Sequence, residues 1–123
     1  MNWDDHRFVS LTTFKKSGEA VATPMWFVVI SGKVCIYTSG ASWKVRRLRN
    51  NPRATLAPCT AGAKLLGDAC DVTARFLGGV EAEAVRVALR QRYGLQKAAV
   101  DVFSRLKGTV PAYIEFSPGG LSR

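Results

Sequence analysis

The sequence predicts an α+β protein dominated by antiparallel β-structure closed into a barrel, and three observations carry that prediction. Runs rich in β-branched and aromatic residues recur with turn residues between them, helical patterns are few and mostly late, and strands and helices never alternate in the βαβ order that a parallel sheet requires. No GxGxxG or Walker-type sequence is present either, so a nucleotide-type ligand would not be held by those devices.

Each element follows in order. FVSLTTF, residues 8–14, reads as a strand, and Lys15-Lys16-Ser17-Gly18-Glu19 as its hairpin turn. AVATPMWFVVI, residues 20–30, is a second extended run, and KVCIYTS after Ser31-Gly32 a third, which makes three antiparallel strands in succession the simplest account. Pro24 has no N–H to give to a ladder, so the second strand must lie at an edge or carry a bulge. WKVRRLRNN, residues 43–51, reads as a short basic helix stopped by Asn-Asn-Pro. Residues 53–60 form a fourth strand interrupted by Pro58, 61–67 a loop, and 68–77 a fifth strand. Val80, Ala84, Val85, Ala88 and Leu89 then mark one face of a helix over 80–94. Gly94 suits its C-terminus, residues 95–106 continue as a second helix of a C-terminal pair, and 109–116 close as a sixth strand.

A chain of 123 residues is one domain, taken as 1–123 with 1–6 as a flexible N-terminus. Its 47% hydrophobic and 22% charged residues are those of a folded globular protein. The beginning of the chain lacks the apolar stretch of a signal peptide and no window is apolar enough to span a membrane, so a cytoplasmic location is expected. Cys35, Cys59 and Cys70 have neither zinc-site spacing nor an even count, and read as free thiols. The compositional outlier is a net charge of +9, which implies an anionic partner: nucleic acid, an anionic membrane face, or a phosphate-bearing or polyanionic cofactor.

Side chains for unaided acid–base or nucleophilic catalysis are nearly absent. His6 is the one histidine, near a terminus, and no Ser/His/Asp or HExxH arrangement exists. Such a chain either binds without reacting or leaves the reaction to a cofactor. The best cofactor candidate is YTSGASWKVRRLR, residues 37–49, where a strand end, a hydroxyl-rich glycine loop and a basic helix adjoin. Thr38 and Ser42 offer hydroxyls, first-turn amides and the helix dipole favour an anion, and Lys44 adds a full charge. A capped, solvated basic helix would show the same pattern, since Ser42 is also a good N-cap.

The ordered set LTTF, ATPMWF, YTSG, KVRRLRNNPRATLAPCT and ALRQRYGLQ resembles the F420-dependent branch of the pyridoxamine-phosphate-oxidase-like, FMN-binding split-barrel proteins. That resemblance implies a split barrel and a homodimer with a deazaflavin or flavin at each subunit interface. It places phosphate at Thr38, Ser42 and Lys44. It puts Arg46, Arg47 and Arg49 near the phosphate or the oligoglutamate tail of F420, which would give the net charge a purpose. Thr23, Pro24, Met25 and Trp26 match a segment lining the ring system, and Pro58, Cys59 and Thr60 a second one. For Trp26 the rival reading is core packing, and Cys59 fits a small apolar wall better than a nucleophile.

Two positions depart from the family pattern: Trp43 stands where a small residue is expected before the lysine, and Val72 where glycine is common. With F420 bound, the implied reaction is hydride transfer to an electron-poor acceptor such as an enone, a quinone-like or a tetrapyrrole-like compound. FMN is the alternative cofactor, and a flavin-binding protein without turnover is an alternative role. A basic nucleic-acid-binding barrel is a more distant reading, because the basic residues concentrate in one short helix without interleaved aromatic platforms.

Overall fold

A computed structural model describes residues 3–93 and 110–118. A single 3-10 turn, Trp3–Asp5, precedes β1 (Phe8–Phe14), β2 (Ala20–Met25), β3 (Val28–Ile30), β4 (Lys33–Ser39), α1 (Trp43–Asn50), β5 (Arg53–Cys59), β6 (Cys70–Leu77), α2 (Gly79–Tyr93) and β7 (Pro111–Pro118). The seven strands form one sheet in the order β2-β1-β5-β6-β7-β4-β3, and every neighbouring pair is antiparallel. The second helix expected over 95–106, and Gly94 with it, lies outside the described residues.

The run 20–30 forms two strands where the sequence suggested one. β2 pairs only with β1 and β3 only with β4, so consecutive strands occupy opposite edges of the sheet with just Trp26 and Phe27 between them. Neighbouring Cα atoms are about 3.8 Å apart, so this short link can be made only if the sheet curls until its edges meet. The result is a barrel split along one seam. The succession of three paired strands is thereby corrected: β2 and β3 do not pair with each other, and a period-2 pattern cannot reveal which strand a run will join. Pro24 does sit in an edge strand, as its missing N–H demands.

Alternate residues of the strands fill the barrel. Val9, Leu11, Val34, Ile36, Leu56, Ile114 and Phe116 pack together, and Val45 and Leu48 of α1 join them from one end. A second cluster lies outside the barrel wall, where Val85, Leu89 and Tyr93 of α2 cover Val28 and Cys35. Val85 and Leu89 of the expected face are buried and Tyr93 extends their i, i+4, i+8 row, while Ala84 is exposed and Val80 is 87% exposed. Arg75 binds Glu81 at 2.8 Å and Glu115 at 3.1 Å, tying the start of α2 to β6 and β7. At the N-terminus, where flexibility was expected, Trp3 packs edge-on against Phe27 with ring centroids 6.2 Å apart.

Tyr93 holds the seam. Its ring stacks on Trp26 at 4.7 Å, and its hydroxyl accepts from the Phe27 amide at 3.1 Å. The same hydroxyl lies 2.9 Å from the carbonyls of Arg7 and Phe27, either of which can accept its proton.

Candidate functional site: the basic helix at the barrel mouth

Antiparallel pairing puts the C-terminal ends of β1, β6 and β4 at the same mouth of the barrel, and α1 lies across it. The helix starts at Ser42, whose extended backbone and side chain form an N-cap, with Oγ accepting from the Val45 amide at 3.4 Å. It stops at Asn51, whose amide donates to the Arg47 carbonyl at 2.8 Å before Pro52. Arg47 and Arg49 in the last turn favour the negative end of its dipole.

The loop before the helix is tightly held. Gly40 donates to the Val110 carbonyl at 2.7 Å, and a Cβ at Gly40 would lie 2.5 Å from that oxygen, so only glycine fits this approach. Ser39 adds two local bonds, its carbonyl accepting from Ser42 N at 3.1 Å and its hydroxyl from Ala41 N at 3.2 Å. Thr38 is buried at the end of β4, and Lys44 Nζ donates to its hydroxyl at 3.4 Å. Partial burial, and then the neighbouring Arg47, depress the pKa of Lys44 below the usual lysine value. No carboxylate pairs with Lys44 among the described residues. A half-buried ammonium beside a hydroxyl and the free first-turn amides of a capped helix is a donor set suited to an anion such as a phosphate.

The three arginines of α1, close together in sequence, separate in space because each residue turns about 100° around a helix. Arg47 Nε donates to Thr13 of β1 at 2.6 Å. Arg49 packs over Phe76 of β6 at 4.2 Å, while Arg46 packs over the Trp43 ring at 4.8 Å on the solvent side. Arg47 thus neighbours Lys44, and Arg49 is directed elsewhere.

The ring-side candidates form two groups. In β2, Thr23 and Met25 are half-buried and Pro24 is exposed. Trp26 follows and stacks against α2, so the core-packing contact is present. Carrying the Val28↔Cys35 pairing back by two residues brings Trp26 level with Tyr37, next to Thr38, on the β3–β4 side of the seam. Pro58 and Cys59 are buried, pair with Val9 and Phe8 on the far side of β1, and lie about 10 Å from β2 by strand spacing. Cys59 is a buried thiol whose pKa is raised by desolvation, which suits an apolar wall. Thr60 closes a small turn, with its Oγ1 accepting from Lys64 N at 3.1 Å. The structure therefore gathers Thr38, Ser42, Lys44 and Arg47, sets Thr23 to Trp26 along the seam, and leaves Pro58, Cys59 and Thr60 apart from both.

Sequence reasoning missed Tyr93, although its place four residues after Leu89 on the α2 row was available as a signal. It also missed Lys15 and Lys16, which border the same helix through the hairpin turn, and nothing local points to that proximity.

Over residues 2–107 the chain matches the family described as pyridoxamine 5'-phosphate oxidase, and it belongs to that family. No curated protein matches it by sequence. Among solved structures it is similar to a conserved hypothetical protein from Mycobacterium tuberculosis, with 21% identity, a TM-score of 0.72, and 95% of this chain covered against 76% of the other. The heme storage protein HutZ from Vibrio cholerae gives 15% identity and a TM-score of 0.72, over 95% of this chain and 84% of that one. A pyridoxamine 5'-phosphate oxidase-like protein from Listeria innocua gives 14% and 0.66, over 95% and 87%. These likenesses establish the split-barrel fold. Among the described residues no helix is long and apolar enough to cross a membrane.

Proposed function

We propose that this protein is an F420-dependent oxidoreductase of the split-barrel class, with FMN as the alternative cofactor. The observation that carries the reading is the Thr38–Ser42–Lys44 cradle: a half-buried lysine with no carboxylate partner among the described residues, set 3.4 Å from a buried threonine hydroxyl at the start of a capped helix. Such a group gains most from a ligand that brings negative charge to it. Lys44 and the first-turn amides would hold the phosphate, Arg47 would add positive potential beside it, and Thr23 to Trp26 along the seam would flank the ring. Bound there, the cofactor supplies a hydride for an electron-poor acceptor. The protein's own contribution is to bind, orient and exclude water, since among the described residues the site offers no carboxylate or imidazole placed for proton transfer.

A homodimer with cofactor sites between copies is part of the same reading, and the exposed Pro24 on β2, beside the ring-side residues, offers a second copy apolar surface. Titration with oxidised F420 and with FMN, read by ligand fluorescence, tests the proposal. Micromolar or tighter binding of one cofactor, weakened about ten- to a hundredfold by Lys44→Ala, is expected for loss of a charged contact. Absence of binding by both, or binding indifferent to Lys44→Ala, refutes it. Light scattering on the loaded protein tests the dimer.

A further inference from the structure

We propose a second ligand site in the cleft between the Lys15–Glu19 turn and the solvent-facing side of α1, a site that takes a nucleotide, with its base stacked on Trp43 and its phosphates held by Lys15, Lys16 and Arg46. The cleft is about 1010 Å³ and is bounded by Phe14, Val21, Trp43, Arg46, Arg47 and Asn50 as well as the two lysines. That volume is at the upper end for small-molecule sites, roughly 300–1,000 Å³, and ample for a nucleoside triphosphate.

The indole of Trp43 is 69% exposed, although it belongs to a helix whose other apolar residues are buried. Arg46 covers one of its faces at 4.8 Å, which leaves the opposite face as a flat apolar platform next to cations. This is the aromatic platform whose absence argued against nucleic-acid chemistry in the sequence; it stands inside the basic helix itself. Aromatic side chains and arginine planes stack on bases of any identity.

The charge is complementary to phosphate. Lys15, Lys16, Arg46 and Arg47 face the cleft against one carboxylate, Glu19, which is bound to Lys15 at 3.4 Å. None of Lys16, Arg46 and Arg47 is ion-paired among the described residues. Arg47 is anchored to Thr13 through Nε, so its fork is already oriented. On the other side of the turn, a second cleft of about 810 Å³ shares Phe14, Lys15 and Lys16 and adds Arg53, with Asp71 as the one carboxylate in its lining. The basic path therefore continues past one nucleotide, long enough for a single strand. Lys44 points the other way, to Thr38, so this site adjoins the cofactor cradle across α1, sharing Arg47 with it but not Lys44.

The test uses the full chain with two probes: ATP by calorimetry, and a labelled oligothymidylate of about twelve bases by anisotropy, long enough to span both clefts. Trp43→Ala and the double change Lys15→Glu/Lys16→Glu alter exposed side chains, and a thermal melt checks that each variant is folded. Each is expected to weaken binding about tenfold or more, while Lys44→Ala changes it by less than about threefold. Oligothymidylate binding that is steeply salt-dependent and weakened by Arg53→Glu assigns a nucleic-acid strand as the source of the nucleotide. ATP binding that ignores Arg53→Glu assigns a free nucleotide, and either result supports the site. The proposal is overturned if neither probe binds at about millimolar ATP and 100 μM strand, a range that captures even non-specific contacts. It is equally overturned if binding survives Trp43→Ala, or if Lys44→Ala removes it as fully, which would place the nucleotide in the cofactor cradle.

Discussion

Removing one oxygen atom from Tyr93 tests the account of how the barrel is closed. In Tyr93→Phe the ring that stacks on Trp26 remains, so the aromatic contact and the apolar packing of α2 are kept. What is lost is the acceptor for the Phe27 amide and the donor to the Arg7 or Phe27 carbonyl. Phe27 is fully buried and Tyr93 nearly so, and a buried amide left without a partner costs about 1–3 kcal/mol. For a chain of this length that lowers Tm by roughly 4–12 °C. Circular dichroism melts and urea unfolding with an unchanged m-value measure it. Tyr93→Leu, which also removes the stack, should cost roughly 0.5–1.5 kcal/mol more. A Tyr93→Phe variant that melts within about 1 °C of the parent would show that the hydroxyl does not hold the seam, and the mechanism of closure argued above would fall.

Three further outcomes are expected. Gly40→Ala forces a Cβ against the Val110 carbonyl and should destabilise the protein by about 1–3 kcal/mol while weakening phosphate binding, measurable by melting and by cofactor titration. Because the folded pKa of Lys44 lies below its unfolded value, its proton is lost first in the native state. Stability therefore rises with pH between the two values, while cofactor affinity falls through the same alkaline window, below 10.5; Lys44→Arg should hold affinity to higher pH. The Tyr113 hydroxyl is pushed up to about 12, chiefly by burial and then by Tyr37, whose own pKa is also raised by burial. The unfolded chain then ionises first, so stability is lost as pH rises from about 10 toward 12, and Tyr113→Phe should reduce that loss in ultraviolet titration and alkaline melts.

Elements governed by neighbours in the chain were legible from sequence. Strand β1, the helix α1 with its Ser42 cap and Pro52 stop, and the grouping of Thr38, Ser42 and Lys44 all depend on residues within one or two turns of each other. Side-chain direction was less legible. Arg46, Arg47 and Arg49 look like one basic cluster, yet helical rotation sends them to Trp43, Thr13 and Phe76. The run 20–30 looks like one strand because extended backbone is a local property, while its break at Trp26–Phe27 is set by Tyr93, which is 66 positions beyond Phe27.

By itself, then, the sequence determined most of the extended and helical segments among the described residues, the surplus of positive charge and the hydroxyl-rich loop before a capped basic helix, since propensity, capping and composition act over a few residues. Only the tertiary structure decided which strands pair, that the sheet closes on itself at Trp26–Phe27, and that the lysines of a hairpin turn face the tryptophan of a helix more than twenty residues away. The physical reason is that pairing partners and shared clefts are chosen by burial and loop closure across the whole chain, and neither leaves a mark on the residues next to it in sequence.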